Sequence, residues 1–306
     1  MTGLLRHNRG VDEPTKPSLS PPGDPQEVCL ALTSDADFPD VLRQIARPVA
    51  ALWYRGRLPD PTHHQRLLAI VGARAASRVG CRRTQELAAM ASRHGHTIVS
   101  GGALGIDAAA HRGALDAGAP TFAVLGCGVD VVYPDRHVGL FAEIVASGGL
   151  LSEFPPGTPP RGKQFPSRNR IVAALAQAVL VVEAQARSGA LVTARLALSL
   201  GRPLLAVPGS AGTDALIASG KARPVCDGAE LLSALAGEVR QAPPVPPALR
   251  LLIDALTEGA PAVEVARRLS LSLPAALALL SEAELGGWIL RGPGGVFKRT
   301  GVTRAN

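Results

Sequence analysis

The chain has 306 residues, of which 46% are hydrophobic and 3% aromatic, with 33 Gly, 26 Pro and a net charge of +7. That length accommodates one large and one small domain, and the basic balance favours an anionic partner. So few aromatic residues exclude a broad base-stacking platform and leave stacking to a single Phe or to Arg planes. Of the 32 cationic residues only Lys16, Lys163, Lys221 and Lys298 are lysines.

The four cysteines (Cys29, Cys81, Cys127, Cys226) are far apart and form no CxxC, and the histidines show no metal spacing. Neither a disulfide framework nor a metal site is expected, which suits a reducing cytoplasm. No apolar signal segment opens the chain, and the longest apolar run, 171–182, is broken by Gln177 and too short to span a bilayer. A cytoplasmic protein with no membrane partner is expected.

Residues 1–30 are polar and proline-rich and are expected to be a disordered tail. Residues 31–57 read as a lead-in packed on the domain that follows. From there, apolar runs at 67–71, 97–100, 122–125, 150–153, 179–183 and 204–207 alternate with helix patterns at 77–94, 107–117, 136–147, 168–177 and 190–200. Continuous apolar strands are expected where both faces of a parallel sheet are covered. Gly95, Gly118 and Gly201 stop three of the helices, as C-caps do. Six strands joined by five crossovers predict a Rossmann-like, doubly wound α/β domain over 31–240.

Such sheets bind ligands beyond the carboxyl ends of their strands. That edge carries Gly72-Ala73-Arg74, the loop 100–105 with Ser100, Gly101 and Gly105, Gly126-Cys127-Gly128, the segment from Glu183 to Ser188-Gly189, and Pro208-Gly209-Ser210. Small residues there either serve turn geometry alone or let a phosphate reach backbone N–H groups at helix starts. No GxGxxG occurs, so neither a dinucleotide nor any other cofactor is expected.

The segment Phe165-Pro166-Ser167-Arg168-Asn169-Arg170-Ile171 stands out. Between Phe154 and Val182 there is no Asp or Glu, yet Arg161, Lys163, Arg168 and Arg170 are present. Guanidiniums without local carboxylates either await an external anion, for which the planar fork suits phosphate, or pair with carboxylates distant in sequence.

Residues 241–248 are a proline-rich linker. Helix patterns at 249–257, 262–269 and 274–285, then strands at 288–291 and 296–299 around Gly292-Pro293-Gly294-Gly295, predict a C-terminal winged-helix domain over 249–306. Its third helix carries Glu282 and Glu284 and no Lys or Arg, which argues against major-groove reading. The basic residues Arg291, Lys298, Arg299 and Arg304 leave weak duplex DNA contact or protein docking as its roles.

Taken in order, several motifs resemble the DprA/Smf family of DNA-processing proteins. They are Ile70 to Arg74, Ser100 to Leu115, Ala123 to Gly128 ending in Tyr133-Pro134, Ser152 to Pro155, Phe165 to Ile171, Ser188 to Ala194 and Val207 to Ser210. The resemblance covers about residues 35–235 and implies a single-stranded DNA binder without catalytic activity. It also implies homodimers that load RecA recombinase in natural transformation, with a single-strand-binding protein as an additional partner. By matching position it implies a DNA cleft at Arg74, Lys163, Arg168, Asn169 and Arg170, base stacking by Phe165, and a phosphate-binding helix start at Ser188-Gly189.

The chain departs from the family pattern at Leu104, where Arg is usual, and at Ala73, Asp214 and Lys221; Lys221 restores a charge if it faces the cleft. The family's N-terminal helical domain is expected to be absent. A competing similarity links 208–213 to the cytokinin-activating phosphoribohydrolases, which would make the chain a nucleotide-processing enzyme. Their catalytic Glu falls at Leu216, which cannot act as acid or base.

Overall fold

A computed structural model describes residues 27–59, 66–186, 188–237, 247–256, 259–285, 289–291 and 295–299. The expected disordered tail lies outside these residues up to position 26, and so do linker residues 241–246. Two compact units divide the chain, Met1–Ala234 and Leu235–Asn306.

The first unit is built on a nine-stranded sheet. Its parallel strands are β3 (Arg66–Val71), β4 (His96–Ser100), β5 (Thr121–Val124), β6 (Gly149–Ser152), β7 (Ala178–Val181), β8 (Leu204–Ala206) and β9 (Arg223–Pro224). Two antiparallel strands, β1 (Cys29–Leu32) and β2 (Ala51–Gly56), complete the order β1-β2-β6-β5-β4-β3-β7-β8-β9. Every residue of β4 to β8 is buried, the physical basis of their uninterrupted apolar runs.

The helices are α1 (Asp40–Gln44), α2 (Arg78–Arg93), α3 (Ile106–Asp116), α4 (Val138–Ser147), α5 (Gln164–Leu175), α6 (Gly189–Ser199), α7 (Ala211–Ala218) and α8 (Gly228–Gly237). On one face α5 packs against α1 and α6, and on the other α3 packs against α2 and α4. Chain order reverses between β3 and β7, so the loops leaving these two strands diverge and open a crevice at the carboxyl edge.

Two expectations are corrected here. The lead-in forms two strands of the main sheet, and β1 begins inside the stretch read as a disordered tail, with Cys29 and Ala31 buried. The free edge of β6 supplies a hydrogen-bonding partner for β2 that local sequence cannot reveal. Helix α5 begins four residues earlier than the pattern 168–177 indicates. Gln164 closes the preceding turn, its Oε1 accepting from Arg161 N at 2.6 Å. Pro166 is tolerated as the third helical residue, because the first four N–H groups of a helix have no intrahelical partner.

In the second unit α9 (Pro247–Asp254), α10 (Ala262–Arg268) and α11 (Leu273–Leu285) accompany a three-stranded sheet. Strands β10 (Ala260–Pro261), β11 (Ile289–Arg291) and β12 (Val296–Arg299) lie in the order β10-β12-β11. Leu252, Ile253, Leu256, Val265, Leu280, Ile289 and Phe297 form its core. The β10 pairing was not anticipated. The expected hairpin tip, 292–294, and Trp288 lie outside the described residues.

Candidate nucleic-acid interface

The crevice at the strand-order reversal holds a cavity of about 700 Å³. Gly72 to Arg74 line it from β3, Gly101, Ala103 and Asp107 from the β4–α3 connection, and Glu183, Gln185, Ser188 and Gly189 from the β7–α6 connection. Phe165, Arg168 and Asn169 enter from α5. Two glycines permit this convergence. Gly105 has φ +79°, and a side chain there would collide with the carbonyls of Ala73 and Arg74. A Cβ on Gly126 would lie 2.8 Å from Phe165 Cδ1, so glycine lets that ring lie against the end of β5.

Phe165 is half-buried and has two close neighbours. The Arg74 guanidinium carbon lies 4.9 Å from its ring centroid, and the Tyr133 ring lies 5.6 Å away at 37°. Arg74 is exposed and Tyr133 is 42% exposed, so the cluster is open to solvent. A cation over an aromatic face is held by the ring quadrupole. Together with a smaller cavity of about 60 Å³ lined by Leu104 and Leu125, this is an apolar wall with a guanidinium lid.

The opposite wall is polar. Ser188 is the N-cap of α6, and its buried Oγ has no hydrogen-bond partner among the described residues. Asn169 Nδ2 donates to Gly189 O at 3.4 Å, and its Oδ1 accepts from Arg168 Nε at 3.1 Å. The N-termini of α2 and α3 are already served by protein carboxylates. Glu183 accepts from Ser77 N and, at 2.9 Å, from Ser77 Oγ; Asp107 accepts from Ala103 N at 3.4 Å. The first turn of α6 contains no acid.

Arg168 is 3% exposed, and its Nη1 donates to the carbonyls of Gly101 and Val124. Burial pushes its pKa down to about 10, opposed by the neighbouring Asp107 carboxylate. Burial raises the Asp107 pKa, opposed by Arg168. Arg168 is therefore a tie between α5 and the ends of β4 and β5. Arg170 pairs with Glu153 at 2.7 Å, with side chains 12% and 18% exposed. The expectation that Arg168 awaits an external anion is corrected by its burial and its carbonyl partners, while Arg170 is paired through Nη2 with Glu153 and keeps Nε and Nη1 without a partner among the described residues.

Three further expectations are revised. Ser100 is fully buried and its Oγ donates to Ile70 O at 2.6 Å, so the hydroxyl fastens β4 to β3. Lys221 follows α7, which runs back to the amino edge of the sheet, and it lies two residues before β9, which is in parallel register with β8. It is exposed at the edge away from the cavity and does not replace the missing charge at Leu104. Lys163 is exposed beside the cavity-lining Gly162, at the rim and not in the wall.

The loop 208–213 is held by its own hydrogen bonds and by Ala184, whose N–H donates to Ser210 Oγ at 3.0 Å and whose carbonyl accepts from Gly212 N at 2.8 Å. Gly209 N donates to Asp214 Oδ1, Ser210 and Thr213 form a capping box, and Leu216 packs against the core. Neither this loop nor Leu216 lines the cavity, which removes the support for the phosphoribohydrolase likeness. Sequence reasoning missed Tyr133 and Asp107 as shapers of the site. Tyr133 follows the Gly126–Gly128 loop in a motif already singled out, but its approach to Phe165 depends on the tertiary fold.

Comparison with known proteins agrees with this architecture. The family model described as DNA recombination-mediator protein A matches residues 29–236. Protein Smf of Escherichia coli is 38% identical over 290 residues, covering 87% of this chain and 76% of that protein. Protein Smf of Synechocystis is 41% identical over 200 residues, 65% of this chain but only 50% of that relative's length. Among solved structures, DNA processing protein A (DprA) from Streptococcus pneumoniae superposes with a TM-score of 0.63 at 37% identity, over 68% of this chain and 74% of that one. DNA processing protein A from Helicobacter pylori, whose structure concerns a single-stranded DNA binding mode, gives 0.62 at 28% identity, over 69% and 96%. With its ordered motifs, sheet topology and matched length, the chain belongs to the DNA recombination-mediator protein A family, the DprA/Smf proteins.

Proposed function

We propose that the protein binds single-stranded DNA without strong sequence preference and passes it to RecA recombinase during recombination or natural transformation. The observation that carries the reading is the two-walled cavity, in which a cation-capped Phe165 faces an acid-free helix start. Phosphates sit along the α6 N-terminus and the rim cations Arg74 and Lys163, while Phe165 stacks one base. Arg168 holds the walls in position. Stacking is sequence-tolerant because every base has a π-face. Homodimers, a single-strand-binding protein as a further partner and the absence of a catalytic step belong to the same reading. We assign a winged-helix role to the second unit on its three helices and its β11–β12 antiparallel pair, with auxiliary duplex contact or protein docking as its use.

A salt titration of oligonucleotide binding, single-stranded beside duplex, tests this. Tight, salt-sensitive binding with a single-strand preference is expected. Equal affinity for both forms, or binding insensitive to salt, overturns it.

A further inference from the structure

The two walls of the cavity are spaced for one nucleotide. Phe165 and Asn169 are four residues apart on α5, so they share a face and are separated by about 6 Å along the axis. Asn169 in turn reaches Gly189 at the start of α6, 3.4 Å from its amide nitrogen. A base on Phe165 therefore has the helix start about one helical turn away, which is the order of the separation between a base and the phosphate on its own sugar.

The polar wall has unspent hydrogen-bonding capacity. Ser188 Oγ is buried without a partner among the described residues, although it lines the cavity. Asn169 Nδ2 carries two hydrogens, of which Gly189 O takes one. Of the two cavity carboxylates, Asp107 lies beside the Arg168 guanidinium, and Glu183 is turned to the start of α2, where it accepts from Ser77. Arg74 adds a cation at the Phe165 ring. The cavity, of about 700 Å³, falls within the roughly 300–1,000 Å³ range of small-molecule pockets.

We infer that this cavity recognises a single nucleotide as a complete unit, and that a free nucleoside monophosphate occupies it in competition with single-stranded DNA. The base lies against the Phe165–Arg74 cluster, and the phosphate receives Ser188 Oγ, Asn169 Nδ2 and the backbone N–H groups opening α6. The inference deepens the single-stranded DNA reading of the same site and rests on it. Its consequence is regulatory, since a rise in nucleoside monophosphate would displace strands from the protein.

The test is displacement of a fluorescent single-stranded oligonucleotide from the full chain at constant ionic strength. The competitors are deoxyadenosine 5′-monophosphate, its 3′ isomer, deoxyadenosine and inorganic phosphate. One of the monophosphates is expected to displace the strand at a concentration at least about tenfold below that needed for either half alone, a gap equivalent to about 1.4 kcal/mol. Whichever isomer is stronger assigns the strand polarity. Ser188→Ala and Asn169→Ala are each expected to raise that concentration severalfold while leaving displacement by deoxyadenosine unchanged. An oligonucleotide that binds, yet is displaced no better by either monophosphate than by inorganic phosphate, overturns the inference and leaves the DNA reading standing. If the oligonucleotide does not bind, the DNA reading and the competition fail together, and calorimetry with the monophosphates decides the nucleotide site alone: heat of binding lost in Ser188→Ala upholds that site, and no heat ends it.

Discussion

The Arg74 guanidinium rests over the ring of Phe165, 4.9 Å from its centroid, although the two residues are ninety-one positions apart. One belongs to the loop after strand β3 and the other to the first turn of α5. The contact exists because the strand order reverses beside β3. Phe165→Ala should weaken single-stranded DNA binding by about 1–3 kcal/mol while leaving its salt dependence unchanged, because a stacked ring carries no charge. Fluorescence titration at several salt concentrations checks both parts. An unchanged affinity would return Phe165 to a packing role against Gly126 and Tyr133.

Lys163 and Lys221 make a matched pair of charge deletions. With about four phosphate contacts, log K should fall against log salt with a slope of roughly −3. Lys163→Ala, at the cavity rim, should flatten that slope by about 0.7. Lys221→Ala removes the same charge from the opposite edge of the sheet and should leave the slope where it was. Equal effects from both would mean that the strand follows net charge and not the cavity.

Arg168 should behave as a structural residue. Arg168→Ala leaves Asp107 and the carbonyls of Gly101 and Val124 without their guanidinium, and losing one partner of a buried pair costs roughly 3–5 kcal/mol. Urea unfolding should therefore show a lowered midpoint before any DNA is added. Arg168→Lys should recover only part of the loss, because an ammonium replacing Nη1 at the two carbonyls leaves Asn169 Oδ1 without the Nε–H that it accepts. A variant of native stability that no longer binds DNA would reassign Arg168 to direct contact.

Acid should destabilise the protein through His111. The residue is fully buried on α3, with Nδ1 2.8 Å from Thr121 Oγ1 and no partner for Nε2 among the described residues. Burial, followed by the nearby His137 and Arg168, pushes its pKa down to about 3. The unfolded chain takes up this proton near pH 6.5 and the folded chain only near 3. Between those values the unfolded state binds more protons, so stability is complete above the upper value and declines as pH falls toward the lower. Burial lowers His96 and His137 in the same sense, whereas it raises Asp107, whose contribution grows as pH falls. Urea midpoints should fall as the pH is lowered through this window, and His111→Asn should make the fall shallower. A variant with the full wild-type decline would place its origin elsewhere.

The amino-acid sequence by itself determined the parallel core of the first unit. Continuous short apolar runs such as Leu67 to Val71 are what strands covered on both faces require, and glycines such as Gly95 and Gly118 end the helices between them. The charged, acid-free stretch around Phe165 and the small-residue loops were equally local signals. Tertiary structure alone decided which cations face the cavity. Arg168 and Arg170 look alike in sequence, but one is held by backbone carbonyls and the other by Glu153, partners that only folding brings near. Strand β2 needed the open edge of β6, Lys221 was carried to the amino edge by α7, and the pairing of Arg74 with Phe165 followed from the reversal of strand order. Local periodicity reports burial along a single element. Which residues meet across a crevice depends on how the strands are ordered, and that order is settled by packing over the whole sheet.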